Sequence, residues 1–333
     1  MDKQTLVSVN NLTRLFDVSK PFLNRIIDRE GRKFLRAVDD VSFDIVKGET
    51  FALVGESGSG KSTVAKMVVG LLPPTEGHIQ IDNLDLADKS QAAKLREMRS
   101  QIQMIFQDPF ASLNPRWRVE KIIAEPIRAF NLEPNDNATR QRVGELLTLV
   151  GLDPSDGRKF PHEFSGGQRQ RICIARALAS KPKFIVCDEP TSALDVSVQA
   201  QILNLMRDLQ DEFGLTFLFI SHDLSVVRHM ATRIGVMYLG RVVEVSDSKE
   251  LFKAPKHPYT RMLLDAVPDL EMTGRERKPV EGEIPNPINP PSGCTFHPRC
   301  PFVNDRCRKE IPLALTANNS TVACHAVEEE RLG

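Results

Sequence analysis

Residues Gly55-Glu-Ser-Gly-Ser-Gly-Lys61-Ser62 carry the spacing G-x-x-x-x-G-K-[ST]. Gly55, Gly58 and Gly60 let the backbone wrap closely around phosphates, with its amides turned inward, and Ser57 lies on the same loop. A helix starting at Lys61 adds the positive end of its dipole. Lys61 is expected to reach the β- and γ-phosphates and Ser62 to ligate Mg²⁺, with Thr63 adding an α-phosphate contact. Alone, the loop says nucleotide without saying which kind of nucleotide protein.

A second acidic feature stands at Phe184-Ile-Val-Cys-Asp188-Glu189. Two adjacent carboxylates at the end of an apolar strand cost repulsion and desolvation, which a divalent cation offsets. Asp188 fits the Mg²⁺-associated acid of a phosphate-loop enzyme. Glu189 points the next way along the backbone and can polarise a water for attack on a γ-phosphate. Between these motifs lies Phe164-Ser165-Gly166-Gly167-Gln168 before a helical run. Ser165 can cap that helix while the two glycines expose amides, which makes a second anion site.

Four of the six cysteines, Cys294, Cys300, Cys307 and Cys324, crowd the last 40 residues with spacing C-x₅-C-x₆-C-x₁₆-C. Outside an oxidising compartment such a cluster suggests a metal before disulfides. Paired C-x₂-C units of a zinc ribbon are absent, and four thiolates also suit an iron–sulfur cluster. Zinc and free thiols remain open on spacing alone. Cys173 and Cys187 sit in apolar runs and read as buried structural thiols.

The elements that must place these groups are legible in outline. Thr5–Val9, Val41–Ile45, Thr50–Val54, Phe184–Cys187 and Phe217–Ile220 read as strands. Lys61–Leu71 reads as a helix stopped by Pro73-Pro74, and Val196–Phe213 as a longer one. Pro21 to Arg36 reads as a charged surface excursion, and Asp108 to Lys181 as helical with proline breaks. Strands alternating with helices predict an α/β protein with a mainly parallel sheet and a helical insert. Glu281–Pro291 reads as an extended proline-rich linker.

Acidic and basic residues number 44 each among 333, so the formal net charge is zero. That argues against holding nucleic acid by bulk charge. No run approaches the ~20 apolar residues of a spanning helix, and the charged start lacks a signal core, so a soluble cytosolic chain is expected.

Taken together, the phosphate loop, Ser165–Gln168 and Asp188-Glu189 resemble the ABC ATPase family, whose signature usually has Leu where Phe164 stands. The resemblance implies the phosphate-loop ABC fold with an antiparallel β subdomain and a helical subdomain. Further positions match it. Gln107 looks like the Q-loop glutamine, which contacts Mg²⁺ or water. Ser192-Ala-Leu-Asp195 looks like the D-loop that crosses the dimer interface, and His222 like the switch histidine at the γ-phosphate. Phe16 lies where the family stacks an aromatic on adenine. The resemblance also implies that Ser165–Gln168 of one chain faces the phosphate loop of another, with ATP between them.

His257-Pro-Tyr-Thr260 and Pro-Pro-Ser-Gly-Cys294-Thr-Phe-His-Pro-Arg-Cys300-Pro resemble the oligopeptide and dipeptide importer branch, which includes nickel importers. For the four cysteines this resemblance favours a [4Fe–4S] cluster. The implied domains are an ATPase domain over 1–250, with a helical subdomain at about 108–180, and a cysteine-bearing extension over 251–333. The implied partners are two membrane-spanning permease subunits, a paralogous ATPase subunit or a second copy, and indirectly a solute-binding protein, at the cytoplasmic face of the cell (inner) membrane. A DNA- or ribosome-directed ABC ATPase is the competing class, and this chain shows no coiled-coil insertion or tandem second core to support it.

Overall fold

The computed structural model describes residues 4–21, 24–25, 27, 31–266, 282–317 and 320–332. Along the chain run β1 (Thr5–Asp17), β2 (Phe34–Val46), β3 (Thr50–Val54), helix α1 (Lys61–Val68), β4 (Glu76–Ile81), β5 (Leu84–Asp85) and β6 (Ile102–Ile105). Helices α2 (Val119–Ala129), α3 (Asp136–Leu149) and α4 (Gly166–Leu178) precede β7 (Phe184–Asp188), α5 (Val196–Phe213), β8 (Thr216–Ser221) and α6 (Leu224–Met230). The last part holds β9 (Arg233–Tyr238), β10 (Arg241–Asp247), α7 (Pro258–Asp265), β11 (Ala314–Ala317) and β12 (Ser320–Ala323). The chain divides into two compact units.

One unit is built mainly from Asp88–Ser221. Its strands β6, β7 and β8 are parallel, with Ile102 opposite Phe184 and Phe184 opposite Thr216. Every residue of β7 and β8 is buried, which is why both read as unbroken apolar runs and not as alternating ones. Helices α2, α3 and α4 pack on one another through residues such as Ile123, Leu146, Leu147 and Ile172, all inaccessible to solvent. Helix α5 ends where Gly214 turns left-handed at φ 64°, as its sequence pattern predicts.

The other unit holds Val7–Asp44, Phe51–Ala87 and the chain from His222 onward. It contains a four-stranded sheet in the order β2-β1-β4-β5, with β1 antiparallel to β4. Here β3 lies parallel to β9, and β9 turns back antiparallel into β10. The chain beyond residue 250 then extends the same ladder, because β12 pairs with β10 and β11 pairs with β12. A core of Val54, Val236, Leu251, Tyr238, Tyr259 and Phe296 joins residues of β3 and β9 to residues of the C-terminal stretch.

Three expectations need adjusting. Strands β1 and β2 run 13 residues each, beyond Thr5–Val9 and Val41–Ile45. The register of β1 shifts between Asn10 and Thr13, and Asn11 and Asp40 adopt left-handed backbone, so the apolar alternation breaks although the strands continue. Consequently Phe34–Arg36, placed in a surface excursion on sequence, belongs to β2. Helix α1 stops at Val68, before Leu71, because Gly70 turns left-handed at φ 74°.

Candidate functional site

The phosphate loop joins β3 to α1. At Gly55 (φ 151°) a Cβ would stand 2.1 Å from the Met237 carbonyl oxygen, and at Gly60 (φ 106°) one would stand 2.2 Å from that of Ala37. Neither position admits a side chain, so the backbone itself lines the loop. Gly60 is the N-cap of α1 and offers no side-chain acceptor to the first amides, which suits an anionic ligand there. The ammonium of Lys61 is buried and donates to the carbonyl oxygens of Gly55 (2.7 Å) and Glu56 (2.9 Å), with Ser59 Oγ at 3.4 Å. Ser57, Gly58, Ser62 and Thr63 complete the loop and the first turn of the helix. Phe16, in β1 of the same unit, is half-buried, with the Arg14 guanidinium 4.7 Å from its ring centre.

In the other unit β7 delivers Asp188 buried and Glu189 half-exposed. Glu189 adopts left-handed backbone at φ 47°, which is costly for a residue with a Cβ. Its amide donates to the Ile220 carbonyl (3.0 Å), and its Oε2 accepts from Gln107 Nε2 (2.8 Å). Gln107 and Glu189, 82 residues apart in sequence, are thus brought into direct contact. With Nε2 engaged, Gln107 keeps Oε1 as its oxygen donor. Asp188, Ser62 and Gln107 all offer oxygen, the donor type Mg²⁺ takes.

Ser165 is the N-cap of α4. Its Oγ accepts from the Gln168 amide (3.3 Å), and Gln168 Oε1 accepts from the Ser165 amide (3.0 Å). The two glycines have a second reason to be there. A Cβ on Gly167 would lie 2.4 Å from Val198 Cγ1, and one on Gly166 3.3 Å from Leu194 Cδ2. Their smallness lets α4 approach the segment that opens α5, whose N-cap is the exposed Asp195. His222 is exposed immediately after β8.

The four C-terminal cysteines share one neighbourhood. The Cys294 amide donates to the Cys307 carbonyl (2.9 Å), and the Cys294 thiol interacts electrostatically with those of Cys324, Cys300 and Cys307. Burial pushes Cys294 up to about 12 and Cys300 up to about 11. All six cysteines are free thiols. Among the described residues no three Cys, His, Asp or Glu side chains stand close enough to grip a single metal ion.

Tyr259 and Arg299 lie in the two segments that resemble the importer branch, but their ties to the phosphate loop were not foreseen from sequence. The Glu56 amide donates to Tyr259 Oη (2.9 Å), and Arg299 grips the Glu56 carboxylate. No local pattern marks either contact, because the partners are 203 and 243 residues apart.

Comparison with known proteins fits this geometry. The ABC transporter family profile matches residues 38–192, and that of the oligopeptide/dipeptide transporter C-terminal region matches residues 243–307. The oligopeptide transport ATP-binding protein AppF of Bacillus subtilis is 48% identical over 328 residues, covering 97% of this chain and 98% of that protein. The oligopeptide transport ATP-binding protein OppF of Escherichia coli is 49% identical over 300 residues, 89% of each. Among solved structures, the dimeric ATP-binding cassette MJ0796 bound to ADP and Pi aligns with a TM-score of 0.62 at 30% identity, over 73% of this chain and 99% of that one. With a strained glutamate beside its glutamine, a phosphate loop that admits no side chain at Gly55 or Gly60, and near full-length relatives at this identity, the chain belongs to the ABC transporter ATP-binding family, in its oligopeptide/dipeptide branch.

Proposed function

We propose that this chain is the ATP-hydrolysing subunit of an importer of dipeptides or oligopeptides. The observation that carries the chemistry is Glu189, held in left-handed backbone and hydrogen-bonded to Gln107. A carboxylate so fixed, next to the buried Asp188, suits a general base for water. Water attacks the γ-phosphorus, its proton passes to the Glu189 carboxylate, and ADP leaves with the β–γ bridging oxygen. Lys61 and the loop amides hold the β- and γ-phosphates through this displacement. His222 contacts the γ-phosphate, and Phe16 offers its ring to adenine. Ser62, Asp188 and Gln107 would hold Mg²⁺, which would supply neutralisation of phosphate charge.

The peptide cargo rests on likeness to relatives named for peptide transport and on the matched C-terminal region. The same motor role in a nickel or other small-solute importer is the second reading within that branch. No helix of the described residues is long and apolar enough to cross a membrane, so in this reading transport needs spanning permease subunits. The chain then sits peripherally on the cytoplasmic face, paired with a related ATPase or a second copy. Ser165, Gly166, Gly167 and Gln168 close over the ATP of that partner, and Asp195 faces the joint. The domains read as an ATPase domain over 1–250, with its helical subdomain at about 108–180, and an extension over 251–333.

The extension is proposed to hold a [4Fe–4S] cluster on Cys294, Cys300, Cys307 and Cys324. Four thiols within electrostatic reach of one another supply the donor set of such a cluster. Its role is to tie the C-terminal stretch together. Co-purification from membranes with identification of the bound proteins tests the transport reading, and permease subunits are expected. Anaerobically prepared protein tests the cluster: visible absorbance lost in Cys324→Ser supports it, and colourless, iron-free protein removes it.

A further inference from the structure

Arg299 lies in the short turn His297–Arg299 between Cys294 and Cys300, far in sequence from the phosphate loop. Its guanidinium nevertheless makes a two-pronged bond to Glu56, the second residue of that loop, with Nη1 at 2.7 Å and Nη2 at 3.0 Å. The Arg299 side chain is only 2% exposed and that of Glu56 20%. Two planar groups paired this way fix orientation as well as distance. The contact is built from several sides. Tyr238 and Phe296 lie against the guanidinium, at 5.6 and 6.0 Å from ring centre to carbon. Gly282 packs on the arginine stem, where a Cβ would come within 3.1 Å of Cγ.

A second tie reaches the same loop residue. The Glu56 amide donates to Tyr259 Oη, and Tyr259 is fully buried against Tyr238 and Phe296. Glu56 therefore has its carboxylate and its amide both held by residues beyond position 250. Its own carbonyl receives the Lys61 ammonium. One residue thus joins the C-terminal stretch to the lysine expected to grip phosphate.

We propose that Arg299 is a positioning residue for nucleotide binding, through which the cysteine-bearing extension holds the phosphate loop in its binding geometry by way of Glu56. The functional half rests on the reading of that loop as a triphosphate site. The positional half does not.

Two measurements separate those halves. In ligand-free protein, hydrogen exchange of the amides from Glu56 to Lys61 is compared between wild type, Arg299→Ala, Arg299→Lys and Glu56→Ala. Faster exchange in Arg299→Ala and Glu56→Ala, partly restored in Arg299→Lys, is expected. Unchanged exchange overturns the proposal whatever the loop binds. MgATP titration and steady-state hydrolysis then test the consequence. Arg299→Ala should bind ATP about tenfold more weakly, with kcat at saturation within about twofold, since it touches no reacting atom. Arg299→Lys should recover part of the affinity. The double variant Arg299→Ala/Glu56→Ala should be no weaker than either single one, because both remove the same contact. Multiplying losses, or wild-type affinity in Arg299→Ala, overturn the functional half. A wild-type protein that fails to bind MgATP overturns the reading of the loop itself and leaves the exchange result standing.

Discussion

Glu189 combines three properties that packing alone would not select. It is acidic, it sits at the end of a buried strand, and its backbone adopts a conformation disfavoured for any residue with a Cβ. Its bond to Gln107 ties it to the chain that follows β6. Glu189→Gln keeps the shape and removes the proposed base. ATP binding should persist while hydrolysis falls by about 10²–10⁴, the usual contribution of a general base. Single-turnover assays alongside nucleotide titration read this, and undiminished turnover would take Glu189 out of that role. Lys61 predicts the opposite pattern. Its buried ammonium is held by loop carbonyls, so Lys61→Ala removes an internal brace and, in the proposed reading, a phosphate ligand. Nucleotide binding itself should weaken, and normal affinity in that variant would refute the loop assignment.

Helices place these residues, and their ends carry their own tests. His257 caps α7 by accepting the Tyr259 amide on Nδ1 (3.0 Å), which requires that nitrogen unprotonated. The ring is almost wholly buried beside Phe296, and Nε2 finds no partner among the described residues. The nearby buried acid, Glu244, binds the backbone amides of Lys256 and His257. Burial therefore pushes the imidazole down to about 3. Below the ordinary value of 6.5 the unfolded chain takes up a proton that the folded one refuses. Stability should fall as pH drops from about 6.5 toward 3, by about 1.4 kcal/mol per pH unit at the steepest. His257→Asn keeps a capping oxygen without the titration. Urea melts at pH 8 and pH 5 should bring wild type and variant closer at the lower pH, and a constant difference would rule this out.

Close packing of two helices predicts a compensating pair. Gly167→Ala drives a methyl into Val198, and overpacking of this kind costs about 1–3 kcal/mol, more than the ~1 kcal/mol alanine gains in helix propensity. Thermal melting should show a destabilised single variant and recovery in Gly167→Ala/Val198→Ala; failure to recover would mean the contact is not what selects glycine. Such packing was hidden in the sequence, where Gly166 and Gly167 read only as amide-exposing residues. The same holds for β1, whose bulge at Asn10–Thr13 breaks the alternation that strand reading depends on. Unbroken apolar strands such as β3 and β7 were plain because burial on both faces leaves no polar phase to lose. The phosphate loop and Asp188-Glu189 were legible because their chemistry is local in sequence. The bonds of Glu56 to Tyr259 and Arg299 were not, because only the fold brings them together.

At the scale of the assembly, the two halves of the nucleotide chemistry are expected to lie on different chains. Within one chain the phosphate loop and the Ser165–Gln168 segment belong to separate compact units. If each ATP is held by the loop of one chain and the capped helix of another, then a two-chain motor has two composite sites, and one chain contributes a different half to each. Paired with an intact second ATPase, Lys61→Ala should disable one site and Ser165→Arg the other. Each single variant then retains hydrolysis at the remaining site. The double variant, with both changes on this same chain, should retain none. If both halves of a site came from one chain, the double variant would behave as Lys61→Ala does, and the partner's own site would keep turning over. ATPase assays on the reconstituted complex distinguish these outcomes, because only sharing between chains makes two changes on one polypeptide silence its neighbour.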